Sequence, residues 1–287
     1  MLVLPEKNLS QVAVHTLPRL GQINFVNCLP VVVPMMETDW QTKAEVTYAT
    51  PNDLNKAFAA NALDIGAMSS FYYLQNGTLE LIDGLSISSD GAVASVMCYS
   101  KAPLSQLNGA RIAVPESSAS SVSLLLLLLK ELFGATPELV PVSKPEIADP
   151  DIDAALIFGD QALLVEGVWD KKLVKADLGE WWRINTGLPM VFGLWAANAQ
   201  WASANRELFQ GISQSLREAR TRGLTTLFSA VVEEGVRRTG LSYERIRRYY
   251  TTDLNYEMTA RHKLALEEYG KLCRKHGILR PVGKPVV

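Results

Sequence analysis

Apolar positions along the chain fall into short runs, some spaced like strands and some like helices. Residues 21–28 read as an early strand running into a loop, with Asn27 near its end and Pro30 and Pro34 limiting further helix or central sheet. Residues 44–48 form the next predicted strand. Asn52 is placed to cap a helix over 53–60, whose apolar face is Leu54, Ala57 and Phe58. Residues 64–68 then read as a short buried strand. This alternation fits a mixed or parallel α/β sheet better than a helix bundle.

After an apolar run over 81–87, the segment SSDGAVASVMCYS contains an Asp90-Gly91 turn, where a crossing between two lobes can begin. Residues 111–114 read as a strand, and PESSASSVSLLLLLLKELFG reads as a serine-rich helix start followed by a strong helix ending near Gly134. The leucines at 124–129 are far short of the roughly 20 apolar residues of a membrane span, and so predict a packed helix. A strand and turn over 153–159 lead to Asp160, and PMVFGLWAA from Pro189 can return the chain to the first lobe. Beyond Asn198 the pattern is mostly helical, over 201–220, 225–238 and 257–276. Arg245, Arg247 and Arg248, beside Tyr249 and Tyr250, read as a solvated helix end.

The 287 residues predict about two lobes, and 48% apolar residues suffice for substantial cores and exclude disorder along the whole chain. With 28 Lys+Arg against 30 Asp+Glu, the net charge of −2 argues against a strongly cationic nucleic-acid surface and favours a small-molecule partner. Neither a secretion signal nor a membrane segment is visible at the start, so the expected location is the cytoplasm, with no membrane partner. Cys28, Cys98 and Cys273 lack CxxC spacing, and His15, His262 and His276 are dispersed, so neither a metal site nor a disulfide scaffold is expected. Fingerprints for dinucleotides, P-loop phosphates, zinc proteases and serine-hydrolase elbows are absent, and no cofactor is expected. The oligomeric state is left open by these patterns.

The candidate chemistry is polar and mostly uncharged. Asn27 can orient a hydroxyl or carboxylate at a strand-end cleft. Ser95 can orient or protonate a leaving oxygen, or simply pack in a loop. The hydroxyls and free N–H groups over 117–121 can accept a carboxylate, or can serve only as a helix cap. Asp90 and Asp160 each have a turn-stabilising alternative. Cys28, beside Asn27, lacks an activating neighbour and reads as an inert thiol. Trp181 and Trp182 can wall an apolar pocket or pack in a core.

Taken in order, QINFVNCLP, LDIGAMSS, GLSISSDGAVASV, VPESSASSVSLL, ALIFGDQALL and TGLPMVFGLWAA resemble the chorismate dehydratases of the MqnA/MqnD family over most of residues 20–260. The resemblance implies a two-lobed α/β fold with mixed sheets and an interlobe cleft, like a periplasmic binding protein of the second topological type. It implies a first lobe of residues 1–98 plus 196–287 and a second of 99–195. It further implies a hydro-lyase that dehydrates chorismate to 3-[(1-carboxyvinyl)oxy]benzoate for menaquinone biosynthesis by the futalosine route. Asn27 and Ser95 match the family's leading catalytic positions, and Asp90, Ser118, Ser120, Ser121 and Asp160 are expected to bind substrate. The alternatives are the related enzyme that cleaves a cyclic futalosine derivative, and a solute-binding component of a transporter.

Overall fold

The computed structural model describes residues 17–169 and 172–279, so His15 lies outside the described residues. The chain opens with strands β1 (Arg19–Ile23), β2 (Glu45–Ala49), β3 (Ile65–Ser69) and β4 (Leu79–Ser89), interleaved with helices α1 (Leu29–Met36), α2 (Trp40–Lys43), α3 (Pro51–Ala59) and α4 (Ser70–Gln75). Strands β5 (Val96–Ser100), β6 (Arg111–Pro115), β7 (Glu138–Val142), β8 (Ala154–Phe158) and β9 (Val174–Asp177) follow, with helices α5 (Ala119–Phe133), α6 (Asp160–Val165) and α7 (Leu178–Thr186). Strand β10 (Met190–Asn198) precedes helices α8 (Ala199–Ala204), α9 (Arg206–Leu224), α10 (Phe228–Thr239), α11 (Tyr243–Arg248) and α12 (Ala260–Lys275).

Two five-stranded sheets result, ordered β2-β1-β3-β10-β4 and β7-β6-β8-β5-β9. In each, three strands pair in parallel, while a fourth that has crossed from the other lobe inserts antiparallel before the edge strand: β10 in the first sheet, β5 in the second. The sheets are therefore mixed and topologically equivalent, and the chain passes between them over residues 90–95 and again over 187–189. Among the described residues, no helix is long and apolar enough to cross a membrane.

Local chemistry accounts for most element ends. Helix α5 starts at Ser118, whose hydroxyl accepts from the Ser121 N–H, and stops at Gly134 in the left-handed conformation. Helix α3 starts earlier than the sequence suggested: Thr50, not Asn52, caps it, because Pro51 occupies the first turn, where a missing N–H costs nothing.

The expectation that Pro30 and Pro34 would halt a helix is also corrected. Pro30 lies in the first turn of α1, and Pro34 sits inside the helix, unable to donate to the Pro30 carbonyl. Helix α9 crosses closely at that point, and a Cβ on Gly223 would lie 1.9 Å from the Pro30 oxygen. Glycine is what allows the two backbones to meet there, and α1 is buried rather than broken.

The first crossing is held firmly. The carboxylate of Asp177, at the end of β9, accepts from the backbone N–H groups of Val93 (2.9 Å), Ala94 (2.6 Å), Gly179 (2.9 Å) and Glu180 (3.1 Å). Ala94 adopts φ +60°, a conformation that costs a non-glycine residue roughly 1–2 kcal/mol. The bonds to Asp177 offset this strain, and together they fix the direction in which the next residue, Ser95, projects.

Candidate functional site

A tight cavity of about 60 Å³ lies between the two sheets, well below the roughly 300–1,000 Å³ usual for small-molecule sites. Its polar wall is formed by Asn27, Ser69, Ser95, Ser118, Ser120 and Ser121. Rings and aliphatic groups, including Phe25, Phe158 and Phe192, make the rest. Phe25 from the first lobe meets Phe158 from the second edge to face, with centroids 5.6 Å apart. Among the described residues, none that lines this cavity carries a formal charge.

Asn27 sits in a 3-10 turn, Val26–Cys28, between β1 and α1. Three side chains from distant parts of the chain hold that turn. Asp160 accepts from the Val26 N–H at 3.1 Å, the Tyr250 hydroxyl donates to the Val26 carbonyl at 3.0 Å, and the Tyr256 hydroxyl donates to the Asn27 carbonyl at 2.9 Å. The turn's backbone is thus held at three points while the Asn27 Oδ1 is buried without a partner. A buried acceptor left in this state costs about 1–3 kcal/mol, which a donor on a bound molecule would recover.

Ser95 is buried at the end of the first crossing, and its carbonyl accepts from the Gly159 N–H at 2.8 Å. Gly159 has φ +64° and lies against Phe25, a turn that a side chain would strain and that starts α6 at Asp160.

At the start of α5, the Ser118 hydroxyl donates to Ser121 Oγ at 2.8 Å, and Ser120 Oγ accepts from the Phe71 N–H at 3.3 Å. Ser69 Oγ accepts from Asn55 and from the Tyr72 N–H. The hydroxyls of Ser69, Ser120 and Ser121 therefore all act as acceptors within the protein, leaving their protons for a ligand oxygen. With the partial positive charge of the α5 N-terminus, they make a donor site for an anion in a wall whose described residues include no cationic side chain.

The structure thus brings Asn27, Ser95, Ser118, Ser120 and Ser121 onto one cavity. It places two other expected binding residues differently. Asp90 is outside the lining, in an exposed bridge to Arg183 (2.6 Å) and Arg261 (2.6 Å). Burial works against ionisation of Asp90, but the two guanidinium groups together hold its carboxyl below the ordinary aspartate range. Asp160 adjoins the cavity but spends its carboxylate on the Val26 N–H, tying the second lobe to the Asn27 turn. Burial pushes the Asp160 carboxyl up, against the Val26 hydrogen bond and the charge of Arg238.

Burial also pushes the Cys28 thiol up, with Asp160 adding to the effect, and drives Cys98 up to about 12, so both cysteines stay protonated. Trp182 is fully buried, donates to the Pro189 carbonyl and meets Tyr269 edge to face. Neither it nor Trp181 lines the cavity. Among the described residues, no group of three or more His, Cys, Asp or Glu is arranged to hold a metal ion.

Sequence reasoning missed the tyrosines. Arg247 and Arg248 are solvated as expected, but Tyr249 and Tyr250 are buried. They open a π-helical turn, Tyr249–Asp253, which leads to a short segment hydrogen-bonded along β4. That segment carries Leu254 to the cavity and Tyr256 to the Asn27 turn. The only signal in the sequence was the density of tyrosines in RRYYTTDLNY.

A family model described as menaquinone biosynthesis matches residues 18–275. A chorismate dehydratase of Thermus thermophilus is 29% identical over 241 residues, covering 79% of this chain and 85% of that protein. A 1,4-dihydroxy-6-naphtoate synthase of the same organism is 30% identical over 125 residues, 43% of this chain and 42% of that protein. Among solved structures, a protein of Archaeoglobus fulgidus superimposes with a TM-score of 0.73 at 21% identity, covering 91% of this chain and 98% of its own. The alkanesulfonate-binding protein of Xanthomonas axonopodis pv. citri, bound to MOPS, gives 0.65 at 15% identity over 92% and 94%. At these identities the structural likeness establishes the fold alone, that of the two-lobed binding proteins with mixed sheets.

Proposed function

The chain belongs to the MqnA/MqnD family of menaquinone biosynthesis, and we propose that within it the protein is a chorismate dehydratase forming 3-[(1-carboxyvinyl)oxy]benzoate and water. The observation that carries this reading is the convergence of Asn27, Ser95 and the α5 serines on one uncharged cavity in a chain similar to a chorismate dehydratase over most of its length. The similarity to the naphtoate synthase covers less than half of either chain.

Dehydration removes a proton from the ring carbon bearing the enol ether and a hydroxyl from its neighbour, and the ring becomes aromatic. Aromatisation supplies the driving force, so the protein's task is to hold the C–H bond and the departing hydroxyl in the eliminating geometry. Phe25, Phe158 and Phe192 form an apolar surround for the ring. The start of α5 receives a carboxylate through Ser120, Ser121 and the first-turn N–H groups.

Asn27 Oδ1, with its acceptor capacity unused, accepts a hydrogen bond from the ring hydroxyl, which keeps its proton, while Ser95 donates to the same oxygen as it departs. No lining side chain is a conventional base. A carboxylate of the substrate itself then accepts the ring proton, and departing hydroxide leaves as water once that proton reaches it.

The test sets the two family reactions side by side. Purified protein is incubated separately with chorismate and with the cyclic futalosine derivative, and products are separated and weighed by mass spectrometry. Conversion of chorismate alone supports the reading. Cleavage of the cyclic derivative alone assigns the later step, and binding of chorismate without turnover assigns a solute-binding role.

A further inference from the structure

The phenol of Tyr249 is completely buried, and its hydroxyl has no partner with full hydrogen-bond geometry. Such a group costs about 1–3 kcal/mol and calls for an explanation. Its surroundings are built rather than incidental. The Arg245 guanidinium lies over the Tyr249 ring, 5.8 Å from its centroid, and is itself anchored to Glu166 and Asp253 at 2.8 and 3.0 Å. Tyr250 packs against the same ring with centroids 5.7 Å apart. The π turn that begins at Tyr249 is closed by the Leu254 N–H on the Tyr249 carbonyl, and such turns recur at functional sites.

The phenol therefore has little freedom to move, and its hydroxyl approaches the side chain of Ser95. A serine hydroxyl donates one proton and accepts two. If the phenol occupies one acceptor position on Ser95 Oγ, the serine proton is directed away from Tyr249, toward the cavity. Burial pushes the Tyr249 hydroxyl far above its ordinary range, so it remains a donor and does not act as a base.

We infer that Tyr249 is a positioning residue that donates to Ser95 Oγ when substrate is bound and thereby aims the Ser95 proton at the departing hydroxyl. The inference rests on the dehydratase reading and deepens it. The phenol touches no substrate atom; it fixes one donor that does.

The test is a double-mutant cycle on chorismate turnover with Tyr249→Phe, Ser95→Ala and the pair. Loss of one neutral hydrogen bond corresponds to roughly a 3- to 10-fold fall in kcat, with KM changed less than about twofold because binding is already made by other groups. In the Ser95→Ala background, Tyr249→Phe costs nothing more, since the hydroxyl then has nothing to aim. A merely structural role would give the same loss in both backgrounds, and that result, or unaltered kcat in Y249F, overturns the inference.

If Y249F does not fold, fluorotyrosine at position 249 keeps the ring and hydroxyl but alters donor strength. A changed kcat that disappears in Ser95→Ala supports the inference, and an unchanged kcat overturns it. Wild-type protein that fails to turn over chorismate overturns the functional reading and this inference together; active wild type with an indifferent Tyr249 overturns this inference alone.

Discussion

Replacing Asn27 with alanine separates catalysis from folding unusually well. The side-chain oxygen has no partner within the protein, so truncation breaks no intramolecular hydrogen bond through it. The Asp160, Tyr250 and Tyr256 bonds to the turn are made to its backbone and survive the change. The atoms removed face a cavity that already exists, so no new void opens in the core. Because the unpaired acceptor costs about 1–3 kcal/mol, its removal should leave the Tm unchanged or raise it.

Turnover should respond very differently. Losing the group that orients the reacting hydroxyl costs about 100-fold in kcat, equivalent to ~2.7 kcal/mol of barrier. The assay is chorismate consumption under saturation, with thermal denaturation of the same preparations. An N27A variant with normal turnover refutes the role of Asn27. A fall in Tm large enough to explain the lost activity refutes the claim that the side chain is free for substrate.

Tyr256→Phe provides the converse case: it removes the partner of the Asn27 carbonyl, at about 1–3 kcal/mol. Its Tm and kcat should fall together, and an unchanged Tm in thermal denaturation would show that the bond is dispensable. Burial raises the Asp160 carboxyl, so the folded state holds that proton more tightly than the unfolded chain does. Stability from this group is complete below its unfolded value of ~3.9 and declines as pH rises through the folded value. Asp160→Asn should therefore match or exceed wild-type Tm at pH ~7, with the gap closing toward pH ~4, whereas a less stable variant at neutral pH would contradict that sign. Gly223→Ala drives a Cβ to 1.9 Å from the Pro30 oxygen and should destabilise by about 1–3 kcal/mol or more, read as lower Tm; an unaltered Tm would mean that α1 and α9 separate easily.

The parts of the fold legible in the sequence were those governed by local chemistry. The α5 start at Ser118 and stop at Gly134 follow from capping and left-handed glycine, both encoded within a few residues. The α3 start was misjudged for a local reason that was readable: proline at 51 assigns the cap to Thr50. Helix α1 was not readable in this way, because it runs through Pro34 and packs at Pro30 against Gly223, almost two hundred residues away.

The same division holds at the site. Asn27, Ser95 and the α5 serines stand in recognisable segments, and the lobes bring them together. The Asp90-Gly91 turn was visible, but Arg183 and Arg261, which occupy the Asp90 carboxylate, come from separate helices. Tyr249 and Tyr256 reach the site only because the chain after β10 folds back along β4, and no local period announces that return.

The decisive experiment incubates wild-type and Ser95→Ala protein with chorismate and identifies the products by chromatography and mass spectrometry against a protein-free control. Wild type should form 3-[(1-carboxyvinyl)oxy]benzoate with loss of one water, and the folded Ser95→Ala protein should form it far more slowly. Chorismate left intact by folded wild-type protein, or equal turnover by both proteins, would contradict it.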